Sequence, residues 1–339
     1  GSRGPPGRGR APGGAGPMPS NALFCASQAT QSVALAVFLY EGFAYNMIFL
    51  GRILPAVGKG GLVTPFAVLF NSVWVLAMWS YLAAHTADPG AVPKRWQEFV
   101  RSVGDALPVA PARPEWQPGK ATLCKKCDVP RPERAHHCLI CEICVLRMDH
   151  HCPWINNCVG FYNRKFFIQL LSYVYLSLSV VVLFTIPELY NRFWGLLRAP
   201  HLLNRTWYCI SSAFVGIAFC MSVLLLCTLT NFIKFHMKLV LENYTTIENL
   251  EREEDAKSKF DIGRRRNWEQ VFGANAWMWW LPMHTQASRP IGDGVRWRVH
   301  YTRIIDEDEE LPNDDGMSQS SRLLQQGSQG STARSTMRE

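Results

Sequence analysis

The sequence predicts an all-α integral membrane protein with four transmembrane helices and a cytosolic cysteine-rich domain between the second and third helices. Hydrophobic residues make up 48% of the 339 residues, and they are clumped rather than spread along the chain. Four clumps are long enough to cross ~30 Å of hydrocarbon, which takes about 20 residues of helix. Seven of the eleven cysteines fall between the second and third clumps.

The predicted transmembrane segments cover residues 32–54, 62–84, 166–189 and 207–233. A signal peptide is the alternative for the first segment, but its length and the embedded Glu41 and Asn46 favour a retained span. We therefore divide the chain into the parts that follow from these segments. They are a disordered arm (1–20), two membrane helices (21–84), a cytosolic domain (85–165), two further membrane helices (166–233), a cytosolic C-terminal region (234–305) and a disordered tail (306–339).

The distribution of lysine and arginine predicts the orientation in the membrane. Residues 55–61 carry one such residue and residues 191–206 carry three, whereas residues 85–165 carry twelve. Basic residues in short flanking segments favour the cytosol. We therefore expect both termini and the cysteine-rich domain to be cytosolic. A reducing compartment also keeps thiols free for metal binding or catalysis.

The cysteine-rich domain contains eleven closely spaced zinc donors. They are Cys124, Cys127, His136, His137, Cys138, Cys141, Cys144, His150, His151, Cys152 and Cys158. A two-residue gap between cysteines allows a short turn to direct both sulfurs at one ion, and a structural zinc takes four ligands. Two zinc ions would use eight donors, which leaves one cysteine and two histidines without a metal role.

Cys152 is the candidate for the cysteine without a metal role. His150 precedes it by two residues, and Asp149 precedes that histidine. An imidazole can take the thiol proton, and a carboxylate can orient the imidazole and stabilise its charged form. We thus expect Cys152 to be a nucleophile with His150 as its base, so that protonation of His150 slows the reaction. The alternative is that Cys152 is itself a zinc ligand in a purely structural domain.

The arrangement from Cys124-x2-Cys127 through Asp149-His150-His151-Cys152 to Cys158 and Asn163 resembles the cysteine-rich domain of the DHHC protein S-acyltransferases. The resemblance implies that Cys152 accepts an acyl group from acyl-CoA and passes it to a cysteine of a target protein. It also implies which residues bind the two zinc ions. These are Cys124, Cys127, His137 and Cys144 for one ion, and Cys138, Cys141, His151 and Cys158 for the other.

Two further segments carry the resemblance. Thr245-Thr246-Ile247-Glu248 resembles the TTxE motif of the family, which implies that Thr246 contacts Asp149; a simple helix cap is the alternative. Residues 267–282 resemble the conserved tail of the family. Their tryptophans predict a position at the membrane interface, and we expect Asn275 to bind backbone groups at the ends of the membrane helices.

The resemblance also places the acyl group. Trp154 corresponds to a residue that lines the acyl tunnel in the family. At 1.5 Å per residue, Ser177 lies ~16 Å into the third membrane helix. Glu41 lies at a comparable depth in the first, where an ionisable residue is costly and indicates function. We expect Glu41 and Ser177 to close the tunnel, although Glu41 could simply be a neutral carboxyl bonded to a neighbour such as Ser177.

The net charge of +8 could indicate nucleic acid, but four membrane spans exclude that partner class. Phosphates of CoA are the better partner for the basic residues of the cytosolic domain, with anionic lipid headgroups as the alternative. The residues concerned are Arg131, Arg134, Arg147, Arg164 and Lys165.

The predicted function is protein S-acyl transfer by a multi-pass protein of the endomembrane system. Its partners are fatty acyl-CoA, the lipid bilayer and proteins with cysteines near the membrane. The alternative function is a membrane-anchored zinc-binding adaptor without catalysis, in which Cys152 has no role beyond folding.

Overall fold

The computed structural model describes residues 20–103, 109–110, 121–199, 205–251, 257–295 and 297. Eight α-helices occur in these ranges: α1 (Ser20–Phe43), α2 (Leu54–Ala56), α3 (Val63–Thr86), α4 (Lys94–Val103), α5 (Arg164–Arg198), α6 (Thr206–Leu241), α7 (Thr246–Glu251) and α8 (Arg264–Phe272). A π-helical segment, Ala44–Ile53, joins α1 to α2, and 3-10 turns occur at Gly60–Leu62 and Ala276–Trp279. The predicted disordered tail, and the predicted arm apart from Ser20, lie outside the described residues.

Four helices in the described ranges are long and apolar enough to cross a membrane, namely Ala22–Ala56, Gly60–Thr86, Arg164–Arg198 and Thr206–Leu241. Each predicted span lies inside one of them, which confirms the four-helix membrane protein. The first helix begins well before residue 32, and two of the hydroxyl groups in its first half are satisfied within the helix. Thr30 and Ser32 donate to the carbonyl oxygens of Ala26 and Gln28.

The cysteine-rich domain contains short strands between α3 and α5. They are β1 (Val109–Ala110), β2 (Ala121–Cys124), β3 (Val129–Arg131), β4 (His136–Cys138), β5 (Ile143–Val145), β6 (His150–Cys152) and β7 (Asn157–Val159). The strands form one three-stranded sheet, β1-β2-β3, and two hairpins, β4-β5 and β6-β7. Such short strands bury little apolar surface, so the domain needs another source of stability.

Hydrogen bonds attach the cysteine-rich domain to the end of α3. The amide of Asn157 donates to three carbonyl oxygens there, those of Ala84, His85 and Ala87. The Asp88 carboxylate accepts from the backbone N–H groups of Gly90 and Ala91, which stabilises a turn at Asp88-Pro89-Gly90. The β6-β7 hairpin is therefore fixed directly at the membrane boundary.

Gly160 allows the turn at Asp88-Pro89-Gly90 to pack against the end of β7. A Cβ at this position would overlap the Pro89 carbonyl oxygen and the Val145 side chain. Only glycine permits the backbones to approach this closely.

A capping box begins α7. The Thr245 hydroxyl accepts from the N–H of Glu248, and the Glu248 carboxylate accepts from the N–H of Thr245. The same carboxylate binds Arg134 from the cysteine-rich domain with two bonds, of 2.6 and 2.8 Å. One glutamate therefore caps a helix and joins the segment after α6 to the cysteine-rich domain.

The segment after α8 crosses the start of α5. Lys165 donates to the carbonyl oxygens of Met278 and Met283, and Gln169 donates to that of Trp279. Trp277 is 87% exposed, which suits the predicted position at the membrane interface.

The prediction for Asn275 is wrong, because its side chain caps its own 3-10 turn by accepting from the N–H of Trp277. The neighbouring Asn267 has the predicted role instead. Its side chain donates to the carbonyl oxygen of Leu241 at the end of α6.

The buried pair of Arg134 and Glu248 gives a stability test. We expect Glu248→Gln to destabilise the chain by about 3 to 5 kcal/mol, because it leaves a buried guanidinium without its counter-charge. Glu269→Gln is the matched control, since its partner Arg265 is 88% exposed and such pairs contribute about 0 to 1 kcal/mol. Thermal unfolding in detergent measures both variants, and equal midpoints would contradict the proposed importance of the buried pair.

Candidate active site

The structure forms two sets of four metal-ligand side chains. Cys124, Cys127, His137 and Cys144 make the first set, and Cys138, Cys141, His151 and Cys158 make the second. These are the two sets that the resemblance implied. In each set the ligand atoms all lie within 4.8 Å of one another.

The hairpins explain why each set converges. His137 pairs with Cys144 across β4-β5, and His151 pairs with Cys158 across β6-β7. In both cases the histidine and cysteine share one side of a hairpin. The first set takes its other two ligands from the end of β2 and the turn that follows it, and the second takes them from the end of β4 and the turn before β5. The two sites are therefore interlocked, because the β4-β5 hairpin supplies ligands to both sets.

The donor distances fit zinc. In the second set, Nδ1 of His151 lies 3.4 Å from the Cys141 sulfur and 3.7 Å from those of Cys138 and Cys158. In the first set, the Cys127 sulfur lies 3.2 Å from Nδ1 of His137 and 3.7 Å from the Cys144 sulfur. Tetrahedral zinc with bonds of about 2.0 to 2.3 Å separates its ligands by roughly 3.5 to 3.8 Å. Both sets can hold a metal ion.

Cys152 belongs to neither set. It is buried at the end of β6, in an apolar cluster that includes Tyr81, Phe166 and Phe167 from the membrane helices. Its thiol interacts electrostatically with the His150 ring. A free thiol therefore lies where the cysteine-rich domain meets the apolar ends of the membrane helices.

The Asp149 carboxylate is completely buried and orients His150. Nδ1 of His150 lies 2.7 Å from Oδ2 of Asp149. Thr246 donates to both carboxylate oxygens, from its hydroxyl at 2.7 Å and its backbone N–H at 3.1 Å. The Arg164 guanidinium lies 3.1 Å from Oδ1. Both hypotheses for the TTxE-like segment hold, since Thr245 caps α7 while Thr246 contacts Asp149.

These contacts set the charge states of the pair. Burial opposes ionisation of Asp149, but Arg164 and His150 hold its pKa well below the usual range. Burial also lowers the pKa of His150, but hydrogen bonds to Asp149 and Cys152 outweigh burial and raise that pKa to about 9. The pair therefore favours a carboxylate beside an imidazolium at neutral pH.

His236 is a site residue that the sequence analysis missed. It lies on α6, and its Nδ1 is 3.8 Å from Oδ2 of Asp149. The rings of Phe167, Phe232 and Phe235 pack edge-on around it. A histidine near the end of the fourth apolar segment was the available signal, since an ionisable residue there is costly.

Asp149, His150 and His236 also lie close enough to share a metal ion. The charge beside them opposes that role, because the Arg164 guanidinium already neutralises the carboxylate at 3.1 Å. A cation there would face direct electrostatic repulsion.

The structure corrects the roles of Arg134 and Arg147, which were predicted to bind CoA phosphates. Each is only 1% exposed. Arg134 binds Glu248, and Arg147 donates to the Asn243 side chain at 2.7 Å. Arg164 and Lys165 are buried as well. Of the five predicted basic residues, Arg131 retains partial exposure, and its Nε donates to the Thr122 hydroxyl.

The predicted tunnel residues differ in how far their side chains are buried. Trp154 is 55% exposed, so its ring is not enclosed, whereas Glu41 and Ser177 are both buried. Glu41 accepts a hydrogen bond from Ser222 on α6 at 3.2 Å, rather than from Ser177. The Ser177 hydroxyl donates to the Tyr173 carbonyl oxygen of its own helix.

An apolar groove of about 480 Å³ lies between α1 and α6. Its lining residues include Tyr40, which is adjacent to Glu41, but they include neither Cys152 nor Ser177. The groove is thus separate from the nucleophile.

Comparison with known proteins adds independent information. A family model described as DHHC palmitoyltransferase matches residues 117–253. The chain is 33% identical to "Probable protein S-acyltransferase 14" of Arabidopsis thaliana, over 74% of this chain and 84% of the relative. It is 32% identical to "Palmitoyltransferase ZDHHC20-B" of Danio rerio, over 74% and 78%. It is 29% identical to "Palmitoyltransferase ZDHHC20" of Mus musculus, over 82% and 79%.

Proposed function

This chain belongs to the DHHC palmitoyltransferase family, and on that premise we propose that it is a protein S-acyltransferase. It takes a long-chain fatty acyl group, palmitoyl above all, from acyl-CoA and transfers it to cysteines of protein substrates. The single observation that carries this function is the free Cys152 thiol, which lies outside both metal-ligand sets and interacts with His150. An adaptor has no need for such a thiol.

In the first step, the Cys152 thiolate attacks the thioester carbonyl carbon of acyl-CoA. The bond from that carbon to the CoA sulfur breaks, and CoA leaves as a thiolate that takes a proton from the His150 imidazolium. An acyl-enzyme thioester remains on Cys152. The raised pKa of His150 supports this form of the step, because an imidazolium stabilises the attacking thiolate. It replaces the expectation that protonation of His150 slows the reaction.

In the second step, a cysteine thiol of the protein substrate gives its proton to the neutral His150 and attacks the acyl carbon. The bond to the Cys152 sulfur breaks, and the Cys152 thiolate is restored beside the imidazolium. Asp149 keeps His150 in the tautomer that presents Nε2 to the sulfur. Transfer through a covalent intermediate in two steps gives ping-pong kinetics.

The two metal-ligand sets would hold two structural zinc ions. Bound zinc supplies folding free energy to a domain whose strands have only two to four residues each. The domain boundaries given above remain our proposal for the organisation of the chain. We place both termini and this domain in the cytosol of the endomembrane system, where acyl-CoA and reduced thiols are available.

The acyl chain would enter the membrane part from Cys152. Each methylene gains about 0.8 kcal/mol by leaving water, so a chain on this buried thiol is drawn among the helices. We propose that it extends toward Ser177 and Glu41, with Trp154 near its entry. Arg131 is the basic residue of the domain that we assign to the CoA phosphates.

Replacing the nucleophile tests catalysis against an adaptor role. Cys152→Ser should abolish acyl-enzyme formation from acyl-CoA and retain two zinc ions per chain, because Cys152 lies outside both ligand sets. Cys138→Ala is the matched control, and it should lose zinc. Acylation of the purified chain and metal analysis provide the two measurements. A Cys152 variant that lacks one zinc ion would identify this residue as a ligand and exclude the mechanism.

The rate of acyl-enzyme formation at high pH tests the role of His150. Its pKa of about 9 lies above the ordinary value, so the imidazolium is present at neutral pH and is lost as pH rises through about 9. Acyl-enzyme formation should fall over that range. Asp149→Asn removes the hydrogen-bonded carboxylate and should move the fall to lower pH, while Asp128→Asn, an exposed control, should not. Identical profiles for Asp149→Asn and the wild type, after correction for thioester hydrolysis, would exclude this role.

A change in side-chain volume tests the acyl route. Ser177→Phe should shift the preference toward shorter acyl-CoA, because the ring fills the buried space that we assign to the terminal methylenes. Ser179→Phe adds the same volume on the other side of α5 and should leave the length preference unchanged. Competition between acyl-CoAs of different length measures both. A wild-type profile in Ser177→Phe would place the end of the tunnel elsewhere.

A further inference from the structure

The second metal-ligand set has a feature that the first lacks. His151 directs Nδ1 at the three sulfurs of its set, and its other ring nitrogen, Nε2, lies 3.1 Å from the hydroxyl oxygen of Ser27. Ser27 belongs to α1, 124 residues earlier in the chain. A membrane helix therefore contacts the outer nitrogen of a candidate zinc ligand.

The chemistry of a metal-bound imidazole decides the direction of this hydrogen bond. When Nδ1 binds a metal, the ring proton resides on Nε2, so Nε2–H donates to Ser27 Oγ. Metal-bound histidines commonly use such a partner to fix the ring orientation and raise ligand basicity. Ser27 provides an acceptor at the required position, and its side chain is almost completely buried.

Ser27 differs from the other hydroxyl residues near it on α1. Thr30 and Ser32 each donate to the carbonyl oxygen four residues earlier, which is the ordinary arrangement in a membrane helix. The hydrogen bond of Ser27 goes instead to His151. Its position is therefore explained by the contact with the metal-ligand set.

We propose that Ser27 is a positioning residue for the second zinc site, and that it couples α1 to the nucleophile through His151. His151 directly precedes Cys152 on β6, so a fixed His151 ring also fixes the backbone from which the Cys152 thiol projects. The inference depends on the proposed zinc ligands, but it does not depend on the acyl-transfer steps.

The first set provides an internal comparison. The outer nitrogen of His137 has no hydrogen-bond partner among the residues that the structure describes, and the neighbouring Cys127 is exposed. The second site should therefore release zinc more slowly than the first. Loss of the Ser27 hydroxyl should affect the second site only.

Zinc release from the purified full-length chain tests this role. After addition of excess chelator, Ser27→Ala should release the second zinc roughly 10 to 100-fold faster than the wild type, as is typical for loss of an outer partner of a ligand. Alkylation followed by mass spectrometry identifies the site. Cys138, Cys141 and Cys158 should react faster in the variant, while Cys124, Cys127 and Cys144 should react at the wild-type rate.

Two further variants separate this role from general destabilisation. Ser27→Thr retains the hydroxyl and should preserve slow release, and Ser32→Ala should behave as the wild type. Wild-type release from Ser27→Ala, or equal acceleration at both sites, would overturn the inference. Equal defects in Ser27→Thr and Ser27→Ala would also overturn it, since they would indicate packing alone. A wild-type chain without zinc would instead refute the zinc assignment that the proposed function includes.

Discussion

The buried carboxylate of Asp149 is the group on which the arrangement of this protein depends. A carboxylate without any exposed surface costs several kcal/mol to bury unless charges and hydrogen bonds compensate. Three parts of the chain supply that compensation, through His150 from the cysteine-rich domain, Arg164 from the start of α5 and Thr246 from the start of α7. The interaction that orients the His150 imidazole therefore also holds these parts together.

The junction between the cysteine-rich domain and the membrane helices follows from the same requirement for satisfied polar groups. Asn157 binds three carbonyl oxygens at the end of α3, and Ser27 of α1 contacts His151. Asn157 pairs with Cys152 across the β6-β7 hairpin, and His151 directly precedes Cys152 on β6. The thiol is thus positioned from both sides, at a depth where the surrounding side chains are apolar. The thiol therefore has hydrocarbon-like surroundings, which suit the fatty acyl group of the proposed function, while His150 retains its polar contact with Asp149.

The errors in the sequence analysis have a common physical cause. Arg134 and Arg147 were assigned to CoA phosphates because basic residues are usually exposed. Their partners, Glu248 and Asn243, are about one hundred residues away, so no local pattern could reveal the buried network. His236 was missed for the same reason, since its importance comes from a distance of 3.8 Å to Asp149 and not from its neighbours in sequence.

The sequence by itself determined the four membrane helices and the eleven candidate metal donors, while the family resemblance implied which eight of these donors form the two sets. Hydrocarbon thickness sets the length of an apolar helix, and zinc geometry limits the spacing of its ligands, so both signals are local. Only the tertiary structure decided which polar side chains are buried together. Ser27 on His151, Ser222 on Glu41 and Glu248 on Arg134 are contacts between distant segments. These contacts depend on how the helices and hairpins pack. Packing brings together residues that are far apart in the chain, and no periodic pattern in the sequence marks such residues.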